Sequence, residues 1–143
     1  MRLLVLNGPN LNLVGQREPD VYGHESLADA ERQVAERYPD HELVWRQSNH
    51  EGQLIDWLHA AGEEGFTAVI INPGGLTHTS VALADAIRSI DQPVIEVHIS
   101  NIHARETFRQ VSLSGAACRG IISGLGLSGY ALAVQAFLEA DRP

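Results

Sequence analysis

Short apolar blocks punctuate the chain at residues 3–6 (LLVL) and 68–71 (AVII) and at the pair Ile121 and Ile122, with weaker companions at 43–45 (LVW) and 94–97 (VIEV). Blocks this short, rich in branched side chains, read as buried strands. Between them apolar positions recur at steps of three and four: Leu27, Ala30, Val34 and Tyr38; Leu54, Ile55, Leu58 and Ala61; Leu83, Ile87 and Ile90; Tyr130, Val134, Phe137 and Leu138. That spacing gathers each set on one face of a helix.

Strand and helix alternate from end to end, so the pattern predicts an α/β fold with a parallel sheet and helices on both faces. Five such strands suit a flavodoxin-like doubly wound sheet of five parallel strands, order 2-1-3-4-5. There is no internal repeat or linker, and 143 residues with 44% apolar and 20% charged positions make one domain, 1–143. One connection breaks the rhythm. Residues 8–25 carry no periodic pattern, and a loop that long, leaving the carboxyl end of the first strand, predicts a lid over a ligand site, with Gly15 and Gly23 as hinge points.

Charge narrows the chemistry. A formal charge of −8 argues against nucleic acid or an anionic membrane as partner. No apolar run is long enough to span a bilayer, and the N-terminal stretch lacks a signal peptide's pattern, so a cytoplasmic location is expected. The single cysteine, Cys118, permits no internal disulfide, and the absence of lysine excludes a Schiff base.

Polar residues gather where the predicted strands end: Asn7 and Asn10 after the first, Asn72 and His78 after the third, Glu96, His98 and His103 at or after the fourth. In NPGG (72–75), Pro73 and two glycines permitting positive φ predict a strand-to-helix turn capped by Thr77 or Thr79, whose backbone N–H groups can also face an anion. His78, in the first helical turn, is expected neutral and turned to a ligand. Glu96 and His98, two apart on a strand, share a face, which lets the carboxylate steer or charge the imidazole and makes His98 a plausible general acid. Adding His103 gives E-x-H-x4-H, which matches no strong ligand spacing, so no metal is expected. Arg105 and Arg109 are spaced as neighbours on a helix face, and also suit an anionic or polyhydroxylated ligand. On the loop, Arg17 beside Tyr22 would favour the phenolate and make Tyr22 a base.

Taken together, LNGPNLNLVGQREPDVYG (6–23), QSNHEGQLIDWLH (47–59), INPGGLTHTSVALADA (71–86), IEVHISNIHARETFR (95–109) and GLGLSGYALA (124–133) resemble the type II 3-dehydroquinate dehydratases along the whole chain. The resemblance implies dehydration of 3-dehydroquinate to 3-dehydroshikimate through an enolate, with no metal or organic cofactor. By position it implies Tyr22 as base, Arg17 as the residue lowering its pKa, and Asn10 as a stabiliser of the enolate oxygen through water. It implies His98 as the acid for the leaving hydroxyl, with Glu96 orienting it. Asn72 and the backbone at Ile99 and Ser100 match the carboxylate site, and His78 and Arg109 the contacts to ring hydroxyls. It further implies a homo-oligomer, trimers built into a dodecamer, with Asp85 reaching a neighbour's site. On one helix Asp85 and His78 would share a face about 10 Å apart, awkward for one small substrate to touch from one chain. Departures from the family are local: Ala84 before Asp85 in place of arginine, Val111-Ser112-Leu113 in place of His-Ser-Tyr, and Gly115 in place of serine. They bear on subunit contacts and on the support behind Arg109. The competing class is a flavodoxin-like nucleotide or flavin binding module, disfavoured because GPNLNLVG lacks a hydroxyl-rich phosphate loop.

Overall fold

The computed structural model describes residues 1–16, 20 and 23–140. Strands β1 (Arg2–Asn7), β2 (Glu42–Gln47), β3 (Ala68–Asn72), β4 (Val94–His98) and β5 (Gly120–Ser123) form one parallel sheet in the order β2-β1-β3-β4-β5. This is the predicted 2-1-3-4-5 order. Helices α1 (Leu27–Arg37), α2 (Glu51–Ala60), α3 (Val81–Arg88) and α4 (Ser128–Ala140) fall on the predicted periodic segments. Local chemistry starts them where it should: Ser26 accepts from the Asp29 N–H while the Asp29 carboxylate accepts from the Ser26 N–H, a reciprocal cap on α1.

The strands are buried on both sides, so alternate residues feed two cores. Leu3, Val5, Ala68, Ile70 and Val97 pack under α1 and α4, against Val34, Tyr130, Val134 and Phe137. Leu4, Leu6, Val69, Ile71 and Val94 pack under α2 and α3, against Leu54, Leu58, Leu83 and Ile87. The same parity sorts the polar residues at the strand ends. Asn7 pairs in register with Asn72 and continues the α1/α4 face, whereas Glu96, opposite Ile71, continues the α2/α3 face.

The long first connection is less irregular than its sequence. Leu11–Leu13 form a 3-10 turn, and Leu11 and Val14 are buried in the α1/α4 core. Gly15 and Gly23 both take positive φ, 91° and 76°. A Cβ on Gly15 would stand 2.7 Å from the His24 carbonyl oxygen, so the chain on either side of the intervening segment meets here. Arg17 and Tyr22 lie outside the described residues.

Two helical expectations are corrected. Gly74–His78 form a 3-10 turn, not the start of a helix; Ser80 accepts from the Leu83 N–H and caps α3. Neither Thr77 nor Thr79 is the cap, and His78 and Asp85 do not share one helix. Arg105 and Arg109 likewise lie on no common helix face. Arg105 follows the 3-10 turn Ile102–Ala104 and Arg109 ends the next, Thr107–Arg109.

Candidate active site

A cleft opens at the carboxyl edge of the sheet, where ligands bind in doubly wound folds. Its walls are Asn10 and Leu11 from the first connection, Asn72, Gly74 and His78 from the end of β3, and His98, Ile99, Ser100, Arg105 and Arg109 from β4 onward. Eight residues singled out in the sequence therefore meet in one place: Asn10, Asn72, His78, His98, Ile99, Ser100, Arg105 and Arg109.

The NPGG turn places two of them. Gly74 takes φ 59° and Gly75 does not take positive φ; a Cβ on Gly74 would stand 2.9 Å from the Pro9 carbonyl oxygen, so the two loops close on each other at a point only glycine allows. The Gly74 N–H donates to Asn72 Oδ1, and Asn72 Nδ2 donates to the Tyr130 hydroxyl. The tyrosine in turn donates to Asn7 Oδ1 at 2.5 Å. Asn72 is thus held at both ends of its amide, with one Nδ2 hydrogen left for a ligand. Tyr130 is wholly buried, and that burial pushes its phenol up, away from ionisation.

At the far end of the turn, His78 Nδ1 lies 2.7 Å from the Val111 carbonyl oxygen. A carbonyl only accepts, so Nδ1 carries the proton and Nε2 is the other ring nitrogen on offer to a ligand. Asn10 takes φ 70° with its N–H donating to Asn49 Oδ1, a left-handed conformation asparagine tolerates. Arg109 Nε donates to Glu106 at 2.6 Å, and Arg105 Nη1 donates to Ser100 Oγ at 3.3 Å.

Glu96 and His98 meet as the strand spacing predicts. His98 Nε2 stands 2.8 Å from Glu96 Oε2, and Glu96 is wholly buried behind it. Against an ionised carboxylate Nε2 must be the donor, leaving Nδ1 as the ring atom for the cleft. Burial alone pushes the Glu96 carboxyl up; the hydrogen bond from His98 and its charge, then the hydroxyls of Ser114 and Ser112, more than offset this and hold it below the usual value.

The hydroxyls around Glu96 were missed from the sequence. Thr77 Oγ1 lies 3.0 Å and Ser112 Oγ 2.8 Å from Oε2, and Ser114 Oγ donates to Oε1. Gly115 belongs to the same place. A Cβ there would stand 2.6 Å from Ser112 Oγ and 3.0 Å from Glu96 Oε2, so this departure touches the surroundings of Glu96 behind His98 and is not confined to subunit contacts or the support of Arg109. The departures at Val111 and Leu113 are gentler, because that segment is stitched to the turn by its backbone: the Leu113 N–H donates to the Thr77 carbonyl, as Val111 accepts from His78.

Two residues stand apart from the cleft. His103 is exposed on the turn after β4 and does not join Glu96 and His98. Asp85 is exposed on α3 with Arg88 Nη1 3.6 Å away.

An imidazole backed by a buried carboxylate, facing a cleft with an amide and two arginines, is equipped to move a proton on a small anionic molecule: fold and site define the class of proton-transfer enzymes. Known proteins give the family. The model of the dehydroquinase class II family matches residues 1–138. The 3-dehydroquinate dehydratase 2 of Ralstonia nicotianae is 56% identical over 99% of this chain and 96% of its own length, and the 3-dehydroquinate dehydratase of Deinococcus radiodurans is 56% identical over 96% and 97%. Among solved structures, the type II dehydroquinase of Butyrivibrio crossotus superposes with a TM-score of 0.94 at 42% identity, covering 96% of this chain and 97% of that one. This chain belongs to the class II dehydroquinase family.

Proposed function

We propose that the chain dehydrates 3-dehydroquinate to 3-dehydroshikimate, with the proton next to the ketone taken by Tyr22 and a second proton supplied to the leaving hydroxyl by His98. The observation that carries the reading is the His98–Glu96 pair on the cleft in a member of this family. Tyr22, its pKa lowered by Arg17, removes the proton α to the carbonyl, and the electron pair moves to the ketone oxygen as an enolate, which Asn10 stabilises through water. The enolate then re-forms the ketone as the β carbon–oxygen bond breaks. His98 Nδ1 gives its proton to the departing hydroxyl, so water leaves, and the imidazolium that precedes the transfer faces the Glu96 carboxylate. Asn72 and the backbone at Ile99 and Ser100 take the substrate carboxylate, while His78 and Arg109 meet ring hydroxyls. The reaction needs no redox partner, because water is lost without change in oxidation state.

The exposure of Asp85 supports a further part of this reading: the chain assembles as trimers within a dodecamer in which Asp85 completes a neighbour's site. No described helix is long and apolar enough to cross a membrane, and with the family's biosynthetic chemistry this supports a cytoplasmic enzyme.

The test is to follow the conjugated enone by its ultraviolet absorbance as purified protein meets 3-dehydroquinate. Tyr22→Phe is expected to lose about 100-fold to 10,000-fold in kcat while still binding substrate. Near-normal turnover by that variant removes Tyr22 as the base. For the shared site, Tyr22→Phe and Asp85→Ala chains are co-expressed; mixed trimers are expected to recover roughly a quarter of their sites. Demonstrably mixed oligomers with no recovery remove Asp85 from a neighbour's site.

A further inference from the structure

Glu96 is a buried carboxylate whose only ion-pair partner among the described residues is His98. A buried charge costs several kcal/mol unless its lone pairs are met by donors. Here the remaining donors are all neutral hydroxyls. Ser112 and Thr77 reach Oε2 and Ser114 reaches Oε1; Thr77 Oγ1 also lies 2.6 Å from Ser112 Oγ and 2.8 Å from Ser114 Oγ, so its single proton is shared among the acceptors around it. The Gly115 N–H donates to Ser112 Oγ at 2.8 Å, occupying a lone pair and leaving the Ser112 proton for the carboxylate. An arginine in this position would satisfy the oxygens as well but would also neutralise them. Hydroxyls satisfy them and leave the negative charge facing the imidazole.

We propose that Thr77, Ser112 and Ser114 are positioning residues for the dehydration, a hydroxyl cage that fixes the Glu96 carboxylate and through it holds His98 with Nε2 inward and Nδ1 on the cleft. The proposal rests on the reading of His98 as the acid. None of the three touches the cleft, so none contributes to substrate binding directly. Other titratable groups around the pair are the Cys118 thiol, which lies in the field of Glu96, and His78, Arg105 and Arg109 across the cleft. Gly115 is part of the device because a side chain there would drive Ser112 Oγ away from Glu96; Ile121, whose Cδ1 is also in the way, is exposed and can swing outward.

The experiment compares Ser114→Ala, Ser112→Ala and their double variant with Ser114→Thr, measuring kcat and KM, thermal melting, and the ¹⁵N signals of the His98 ring. Each alanine is expected to lower kcat about tenfold with KM within twofold. The double variant is expected to let the ring populate both neutral tautomers, where the parent shows the Nε2–H form, and Ser114→Thr to recover most of the kcat. A folded double variant with unchanged kcat and unchanged ring signals overturns the proposal. Gly115→Ala supplies a version that removes no hydroxyl: the same loss of kcat with the same ring signature supports the cage, and full activity with an unshifted ring counts against it even if the alanine variants prove too unstable to assay. His98→Asn separates the layers. If it is inactive while the cage variants behave as the parent, only the cage is wrong; if it retains activity, the acid assignment fails and the cage with it.

Discussion

The carboxyl edge of the sheet carries two buried polar clusters, one on each face, and they solve the same problem with opposite chemistry. On the α1/α4 face, Asn7, Asn72 and Tyr130 satisfy one another as neutral groups. On the α2/α3 face, Glu96 is kept ionised among three hydroxyls and an imidazole. Each cluster presents one group to the cleft, an amide from the first and an imidazole from the second. The neutral network suits a group that only needs to point in one direction, since it has nothing to titrate near neutral pH. The ionic one suits a group proposed to give up a proton, because the carboxylate holds Nε2 of the ring and leaves Nδ1 for the cleft. The proposed binding group and the proposed reacting group are thus separated by the thickness of one strand layer.

The largest expected effect breaks the ionic side alone. Glu96→Gln keeps the shape and removes the charge, and kcat is expected to fall by about 100-fold or more with little change in KM, as for loss of a positioned acid; steady-state kinetics decide it. On the neutral side, Tyr130→Phe strands the Asn7 and Asn72 amides. A melt is expected to show a loss of about 1–3 kcal/mol, and kinetics a KM raised severalfold with kcat changed less.

The two faces are also expected to fail at opposite ends of the pH scale. The Glu96 carboxyl is held below its ordinary value of 4.5, so its contribution to stability is present above that pH and is lost as pH falls through the folded value. Burial raises the Tyr130 phenol above 10, so its contribution is present below pH 10 and is lost as pH climbs beyond it. Denaturant melts across pH should show Glu96→Gln less acid-sensitive than the parent and Tyr130→Phe less alkali-sensitive; the same sensitivity in variant and parent contradicts the assignment.

The smallest effect is a reporter. Burial first, and the Glu96 charge second, push the Cys118 thiol up to about 12. Alkylation by iodoacetamide at pH 8 is expected to be slow, modestly faster in Glu96→Gln and unaltered in Tyr130→Phe.

The neutral cluster was half legible before any coordinates, and the ionic one was legible only along its strand. Tyr130 reads as one more apolar step of a helix, yet a buried phenol needs a partner, and Asn7 and Asn72 at two strand ends were the polar residues able to supply it. Glu96 and His98 follow from the two-residue period of a strand. Thr77, Ser112 and Ser114 come from 3-10 and irregular backbone, which has no period to project a side chain, so the sequence offers Thr77 or Thr79 as a cap that Ser80 supplies instead. The strand order and helices were recoverable because both obey a period and both bury apolar faces.

The backbone stitching of residues 111–113 onto the turn at 74–78 has a consequence for inheritance. The strip's half of this joint is main chain, the Val111 carbonyl and the Leu113 N–H, and does not depend on which side chains the strip carries, so outward-facing positions such as Val111 can drift among residue types while the segment stays docked. The inward hydroxyls of Ser112 and Ser114 have less latitude, since each is defined by the Glu96 oxygen it meets. Freedom and constraint therefore alternate within five residues, and a lineage can rewrite the outer surface of this strip while the proton chemistry behind it is passed on intact.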